Sequence, residues 1–254
     1  MLYGSNLVRL RSAAPVLAPA LVTNRRFLGW SLATLTTSIG FLGVLVFLPT
    51  YLQAADLSPA AAGVTMLLLT GPVLLMPMAA VALVNKGAPA RLLIVIALLL
   101  VVAGNLWLVT LSARDTVVTV AAPLVLIGVG MGGSFGLTDG QAMALVDADD
   151  VGMAAGFLNT LRGAAEALVI AAYSASLTGL LSARRDDAAR AAEVGAGRLS
   201  GTEHIVELDA FTWSWRLTQL GVGLCCPVLS AAVIVLIHGR GPVSRRTSHP
   251  AQGR

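Results

Sequence analysis

Charged residues are scarce in this sequence of 254 residues. Asp, Glu, Lys and Arg together make up 12% of it, about half of the roughly 25% that is usual in soluble domains. Hydrophobic residues make up 56%, and the mean hydropathy is +0.82. This composition indicates a helical membrane protein rather than an ordinary soluble domain.

Cysteine and lysine are also rare. Cys225 and Cys226 are adjacent within an apolar run, which excludes a disulfide framework and offers no metal-binding spacing. Lys86 is the single lysine, so the net charge of +4 is carried mainly by arginine. The positive residues fall in predicted loops and tails, as membrane topology requires, and nucleic acid is therefore not expected as a partner.

Six apolar runs are long enough to cross a bilayer, which takes about 20 residues. They cover about residues 27–52, 60–84, 91–111, 117–145, 152–180 and 214–237. We predict an all-α membrane protein with a bundle at 27–238, tails at 1–26 and 239–254, and one long external loop at about 181–213. Ten Lys and Arg residues lie on the side of both tails and six on the other side, which predicts cytoplasmic termini and a multi-pass protein of the cell membrane.

The segment LIGVGMGGSFGLTDGQAMAL, residues 126–145, carries two glycine patterns. The first is Gly128-x-Gly130-x-x-Gly133, a dinucleotide-binding spacing. It requires a strand and a soluble βαβ unit, which an apolar span does not supply. The second places a glycine at every fourth residue, which predicts a face where another helix approaches closely. The four glycines of this face are Gly128, Gly132, Gly136 and Gly140.

Polar residues lie on the glycine face of the fourth span and on one face of the fifth span. Asp139 falls within the glycine stripe, about 20° from Gly128 when each residue turns 100°. In the fifth span Asn159, Arg162, Glu166 and Tyr173 share one face. Charged side chains in a membrane face protein or water rather than lipid. The two stripes therefore predict an internal cavity or a buried polar network.

Two interpretations of these residues stay open. Arg162 and Glu166 have the spacing of an ion pair within one helix, which is either structural or part of a site that binds substrate or moves a proton. Asp139 has no cation near it in its own span, so it either pairs across helices, for instance with Arg162, or titrates as a coupling group. Gln53, at the end of the first span, is a further candidate for the cavity. No catalytic set, phosphate loop or metal cluster is present, so neither an enzyme nor a cofactor or metal site is expected.

The predicted long loop carries a His-x-x-Glu spacing at His204 and Glu207. Because it offers no further ligands, we interpret both residues as solvated surface. Trp213 and Trp215 stand at the start of the sixth span, where aromatic residues of a membrane interface are expected.

Several motifs resemble a known family. FLPTYLQ (47–53) followed by LSPAAAGVTMLL (57–68) is similar to an external turn of the fourteen-span drug:proton antiporters of the major facilitator superfamily, and IGVGMG (127–132) to their glycine-rich twelfth span. GMAAGFLNTLRGAAEAL (152–168) is the strongest match. The residues that fit the family pattern there are Gly152, Ala154, Ala155, Gly156, Asn159, Thr160, Arg162 and Ala167.

The resemblance corresponds to the C-terminal six-helix half of that family, and implies two inverted repeats of three helices. It implies export of small hydrophobic, amphipathic or cationic compounds such as antibiotics, driven by the proton gradient without a cofactor. The expected form is a half-transporter or truncated form in the lipid bilayer, working with a separate N-terminal half or as a homodimer. The alternative is a structural or regulatory membrane protein without transport activity, or a non-functional fragment. Four positions depart from the family pattern: Asn85 replaces an acid, Ala165 a glycine, Glu166 a small residue, and Asp139 a small residue or an amide.

Overall fold

The computed structural model describes residues 24–112, 117–146, 150–185, 188–199 and 203–238. Within these ranges the chain is helical, with short turns and no β-strand. The helices are α1 (Arg25–Ala54), α2 (Pro59–Asn85), α3 (Ala90–Leu108), α4 (Val117–Met143), α5 (Val151–Arg185), α6 (Ala188–Gly195) and α7 (His204–His238). Six of these, all except α6, are long and apolar enough to span a membrane. The predicted all-α class with six spans is therefore confirmed. The predicted tails lie outside the described residues except for positions 24–26.

Local sequence signals set the helix boundaries. The side chain of Asn24 caps α1 by accepting from the backbone N–H of Arg26, at 3.1 Å. Ser58 caps α2 in the same way, at 3.2 Å from the N–H of Ala61. These caps satisfy N–H groups that a helix start leaves without a partner. The turn after α2 passes through Gly87 at φ 97°, a conformation that glycine adopts without a steric penalty.

The bundle is built from two interleaved groups of three spans: α1, α2 and α3 form the first group, and α4, α5 and α7 form the second. α4 makes its most extensive contacts with α2 and α3, and α1 makes its most extensive contacts with α7. α1 and α4 also pack against each other, and α3 packs against α7 on one side of them. Within their most apolar stretches, 61% of α1 and 50% of α4 are buried, against 11% of α2 and 17% of α5. α1 and α4 therefore form the centre of the bundle, and α2 and α5 flank it with largely uncovered surfaces.

The glycine stripe of α4 lies against the backbone of α2. A Cβ atom at Gly132 would lie 2.8 Å from the carbonyl oxygen of Pro72, and one at Gly136 would lie 3.2 Å from that of Pro77. Gly128 approaches the backbone of α2 in the same way, whereas a Cβ atom at Gly140 would meet nothing within 4 Å. The first three glycines therefore permit close contact between the helices, and Gly140 does not take part in it.

The connection between the last two spans differs from the predicted long loop. α5 continues to Arg185 and α7 already begins at His204, so both helices extend into the predicted loop at 181–213. Between them lies the short helix α6, whose Ala191 and Val194 are fully buried. This segment is helical because its apolar residues lie on one side, and that side packs against the ends of α5 and α7.

This arrangement corrects the sequence predictions for two residues near the start of α7. Glu207, interpreted from the sequence as solvated, has no exposed surface. Trp215, predicted at the membrane interface, is also fully buried, with its indole N–H donating to the carbonyl oxygen of Leu108 at 3.3 Å. Its ring packs against those of Tyr51 and Tyr173. Trp213 is 37% exposed, as an interfacial tryptophan would be.

Candidate functional site

An ion pair between two spans forms the centre of the candidate site. Nη2 of Arg162 in α5 lies 2.7 Å from Oδ1 of Asp139 in α4. Nη1 of Arg162 donates a longer hydrogen bond, 3.4 Å, to Oδ1 of Asn159. The guanidinium carbon lies 4.7 Å from the centre of the Phe135 ring, within the range of a cation–π contact. Arg162 is thus held by a charge, an amide and an aromatic face.

Helix geometry explains why these groups meet. Phe135 and Asp139 are four residues apart in α4, and Asn159 and Arg162 are three apart in α5, so each pair lies on one helix face. Asp139 is also only four residues from the end of α4, close to the turn that leads into α5. The long Arg162 side chain can therefore reach across to α4.

The guanidinium is largely withdrawn from solvent, whereas the carboxylate is not. The side chain of Arg162 is 13% exposed and that of Asp139 is 45% exposed. Nε of Arg162 is buried and finds no hydrogen-bond partner among the residues that the structure describes. The pair is therefore open on the side of Asp139, where a proton or a cation can reach the carboxylate oxygen.

Glu166 does not form the predicted pair with Arg162. Within the described part of the chain Glu166 makes no hydrogen bond or salt bridge, although it is partly buried. The cause is the orientation of Arg162, which points to α4, where Asp139 and Phe135 both contact it. Glu166 is four residues from Arg162 on the same face of α5, so it lies within reach of the guanidinium without contacting it.

Tyr173 belongs to a different polar network, although it shares a helix face with Arg162. It lies eleven residues further along α5, a rise of about 16 Å. Its hydroxyl donates to Oε1 of Gln219 at 3.0 Å, and Nε2 of Gln219 donates to Oδ1 of Asn105 at 2.6 Å. All three side chains are buried, so this chain of hydrogen bonds joins α3, α5 and α7.

Asn105 and Gln219 are not among the predicted site residues, although the sequence contains a signal for them. Amide side chains within apolar spans are uncommon and usually find partners inside the bundle. Gln53 lies elsewhere again: it is exposed at the end of α1 and donates to the carbonyl oxygen of Pro49 in its own helix, at 3.2 Å. Because successive spans alternate in direction, Gln53 and Asp139 lie at opposite ends of the bundle.

A second ion pair lies at the end of the bundle formed by α6 and the start of α7. Nε and Nη2 of Arg190 contact the two carboxylate oxygens of Glu207 at 2.6 and 2.8 Å. Nη1 contacts Glu193 at 2.6 Å. The hydrogen bond to Glu207 raises the pKa of the Arg190 guanidinium above its ordinary value. This two-oxygen contact satisfies the buried Glu207 and fastens α6 to α7.

Six long apolar helices with an ion pair between two of them have the architecture of a multi-pass membrane protein. The sequence profile of the Major Facilitator Superfamily matches residues 6–170, and the chain belongs to that family. Its members are transporters rather than enzymes. No curated protein sequence matches the chain.

Proposed function

We propose that this bundle exports small hydrophobic or amphipathic compounds from the cell in exchange for protons. The observation that carries the proposal is the ion pair between Asp139 and Arg162, which joins two spans and is open on the side of its carboxylate. The resemblance of residues 152–168 to drug:proton antiporters supports the same function. The orientation that we propose has both termini in the cytoplasm, so that the pair lies toward the cytoplasmic end.

The ion pair offers a mechanism for coupling. Protonation of Asp139 removes its negative charge and weakens its attraction for Arg162. The guanidinium is then free to turn toward Glu166, which is four residues away on the same helix and within reach of such a pair. Because α4 and α5 are held together at this site by the pair, the two protonation states favour different arrangements of these helices.

A second bundle completes the proposed transporter. α2 and α5 flank the central helices, and their outer surfaces are mostly uncovered. α2 presents large apolar side chains, such as Leu74 at 78% and Met78 at 77% exposed. α5 presents small ones, and its Gly156 and Gly163 would accept a Cβ atom without contact. We propose that another six-helix bundle, either a separate half or a second copy, covers these two surfaces and encloses the substrate path.

The test is export by cells that produce the protein together with its second bundle. We expect Asp139→Asn to lower the proton-driven export of a fluorescent amphipathic cation at least about tenfold, equivalent to about 1.4 kcal/mol, at an unchanged amount of protein in the membrane. Asp56→Asn is the matched control, because Asp56 lies in an exposed turn at φ 66°, which asparagine tolerates. Undiminished export by Asp139→Asn would remove this carboxylate from the coupling role.

Arg162→Ala separates transport from a purely structural role. If the pair couples transport, this variant reaches the membrane at normal levels and exports poorly. If the variant is instead degraded or fails to insert, the pair is a packing device, which supports the second candidate: a structural or regulatory membrane protein. The burial of the guanidinium and its contact with Phe135 are the observations that favour this second candidate.

A further inference from the structure

The middle of α5, residues 159–172, is the longest part of this helix without a buried residue. All fourteen residues are exposed or only partly buried, on every side of the helix. α5 packs mainly against α1, α6 and α7 and makes few contacts with α4. A Cβ atom at Gly163 would meet nothing within 4 Å. We call residues 159–172 the α5 strap, because this stretch passes over the bundle without contributing to its core.

Both ends of the strap are fixed by packing. Just before it, Leu158 is buried in an apolar cluster with residues of α1, and the ring of Phe157 stacks on that of Phe27 with centroids 6.4 Å apart. Just after it, the buried ring of Tyr173 stacks on that of Phe47 at 4.7 Å. From Leu158 to Tyr173 the helix rises by about 22 Å. The strap therefore crosses this distance between two packed points.

The side chain of Arg162 ties the strap to α4. Among the residues that the structure describes, the ion pair of Arg162 with Asp139 is the only hydrogen bond or ion pair between the strap and another helix. Arg162 also makes the contact with the Phe135 ring of α4. The hydroxyl of Thr160 bonds within its own helix, to the carbonyl oxygen of Gly156. Since a segment with few buried contacts has low local stability, the position of the strap depends on Arg162.

The strap lies between two spaces. Arg162 and Glu166 are about 40° apart around α5, whereas Leu168 and Ala172 are about 80–120° from Arg162. Leu168 and Ala172 border an open cavity of about 350 Å³ between α5 and α7, which reaches Ile39 of α1. The ion pair thus lies on one side of the strap, and the cavity lies on the adjacent side.

We propose that the α5 strap is a lateral gate of the bundle. The pair of Arg162 with Asp139 closes it on α4. When the pair is released, the strap bends away between its two fixed ends and joins the ion-pair site to the cavity beside α7. Gly163, next to Arg162, eases the bend because glycine weakens a helix. The opening does not depend on what the protein transports, whereas its use as a route for an amphipathic compound from the membrane rests on the proposed export function.

Hydrogen–deuterium exchange of the purified full-length protein in detergent tests the opening. Asp139→Asn removes the charge that holds Arg162, so the amides of residues 159–172 should exchange at least about tenfold faster, while those of residues 173–181 keep the wild-type rate. Asp56→Asn, in an exposed turn, is the matched control and should change neither rate. Arg162→Gln replaces Asp139→Asn if that variant does not elute as a monodisperse protein. Wild-type exchange in the strap, or an equal rise in residues 173–181, would overturn the proposal.

A glycine variant tests where the strap bends. Gly163→Ala has free space for its Cβ atom and should slow exchange in the strap by up to about fivefold, which is the difference in helix propensity between glycine and alanine. Gly63→Ala is the matched control, because Gly63 in α2 has the same free space and lies outside the strap. Exchange that Gly163→Ala leaves unchanged would contradict a bend at this residue.

A cross-link tests whether the strap moves against α7. Leu168→Cys and the native, exposed Cys225 border the same cavity and are joined by a short bis-maleimide. In protein that also carries Asp139→Asn, the bridge is expected to return exchange in the strap to the wild-type rate. Leu168→Cys combined with Cys225→Ser is the control, since it takes up the reagent without forming the bridge. Fast exchange in the bridged protein would show that the strap does not open away from α7.

The route for a compound is tested separately, in cells that produce the protein with its second bundle. The bridge between Leu168→Cys and Cys225 is expected to lower export of the fluorescent amphipathic cation at least about tenfold, and the control with Cys225→Ser keeps its export. Undiminished export by the bridged protein would refute the route. Absence of export by the wild-type protein would refute the proposed function and the route with it, whereas the exchange rates alone decide whether the strap opens.

Discussion

Replacing Gly132 with alanine would force α2 and α4 apart. The added carbon would lie 2.8 Å from the carbonyl oxygen of Pro72 and 2.8 Å from Cα of Val73, whereas contacts between such atoms are favourable at about 3.5–4.0 Å. Both obstacles are backbone atoms, so no side chain can rotate away. The backbones must separate by about 0.7 Å or more to restore ordinary contact, which loosens packing along the whole α2–α4 interface.

The expected cost follows from two opposing terms. Overpacking costs about 1–3 kcal/mol, and the better helix propensity of alanine returns up to about 1 kcal/mol. The net loss of about 1–2 kcal/mol corresponds to a fall of about 2–8 °C in the midpoint of thermal unfolding for a protein of this size. The protein is heated in detergent and then run on size-exclusion chromatography. The assay measures how much of the monodisperse peak remains, detected by tryptophan fluorescence.

Gly140→Ala is the matched control for this experiment. Gly140 belongs to the same period-four stripe of the same helix, but a Cβ atom there meets nothing within 4 Å. We expect the midpoint to stay unchanged or to rise by up to about 4 °C, because only the propensity term acts. If Gly132→Ala and Gly140→Ala shifted the midpoint equally, close backbone contact would not be the reason for the stripe.

Three further predictions concern the polar groups. Arg190→Gln removes the guanidinium that contacts both carboxylate oxygens of the buried Glu207 and should lower the midpoint of a chemical unfolding curve in detergent; the double variant that also carries Glu207→Gln should recover most of the loss. Tyr173→Phe removes the donor to Gln219 and should cost about 0.6 kcal/mol, the average for such bonds between membrane helices, and at most about 1.7 kcal/mol; no change in the unfolding midpoint would mean that the bond is energetically neutral. An apolar maleimide should label the detergent-solubilised protein once, at the exposed Cys225, and Cys225→Ser should abolish labelling, because the neighbouring thiol is buried; label remaining in that variant would contradict the burial.

Periodicity and composition were sufficient to predict the membrane spans and the packing face of α4. A span is a long local run of apolar residues, so its position depends only on nearby sequence. The glycine stripe is also local, and its close contact follows from helix geometry. The partner helix α2 could not be predicted in this way, because nothing in the stripe itself specifies which backbone approaches it.

The polar contacts were less predictable because they join residues that are distant in the chain. Arg162 had two acids within reach, and the sequence left both pairings open: Glu166 within the same helix and Asp139 across helices. The choice between them depends on how α5 is rotated against α4, which is set by the packing of the whole bundle. Glu207 is a stronger example, since a charged residue beside a predicted loop becomes fully buried once α6 supplies Arg190 as its partner.

The interleaving of the two groups of spans has a consequence for membrane insertion during synthesis at the ribosome. α1 makes its most extensive contacts with α7, and the last residue of α7 is synthesised 184 positions after the end of α1. At about 5–20 residues per second, α1 stays in the bilayer on the order of 10–40 s before its contacts with α7 can form. During that interval the hydroxyls of Thr34 and Thr37 are satisfied by carbonyl groups of their own helix. Because these hydroxyls form hydrogen bonds within their own helix, α1 can remain in lipid until the later spans are inserted.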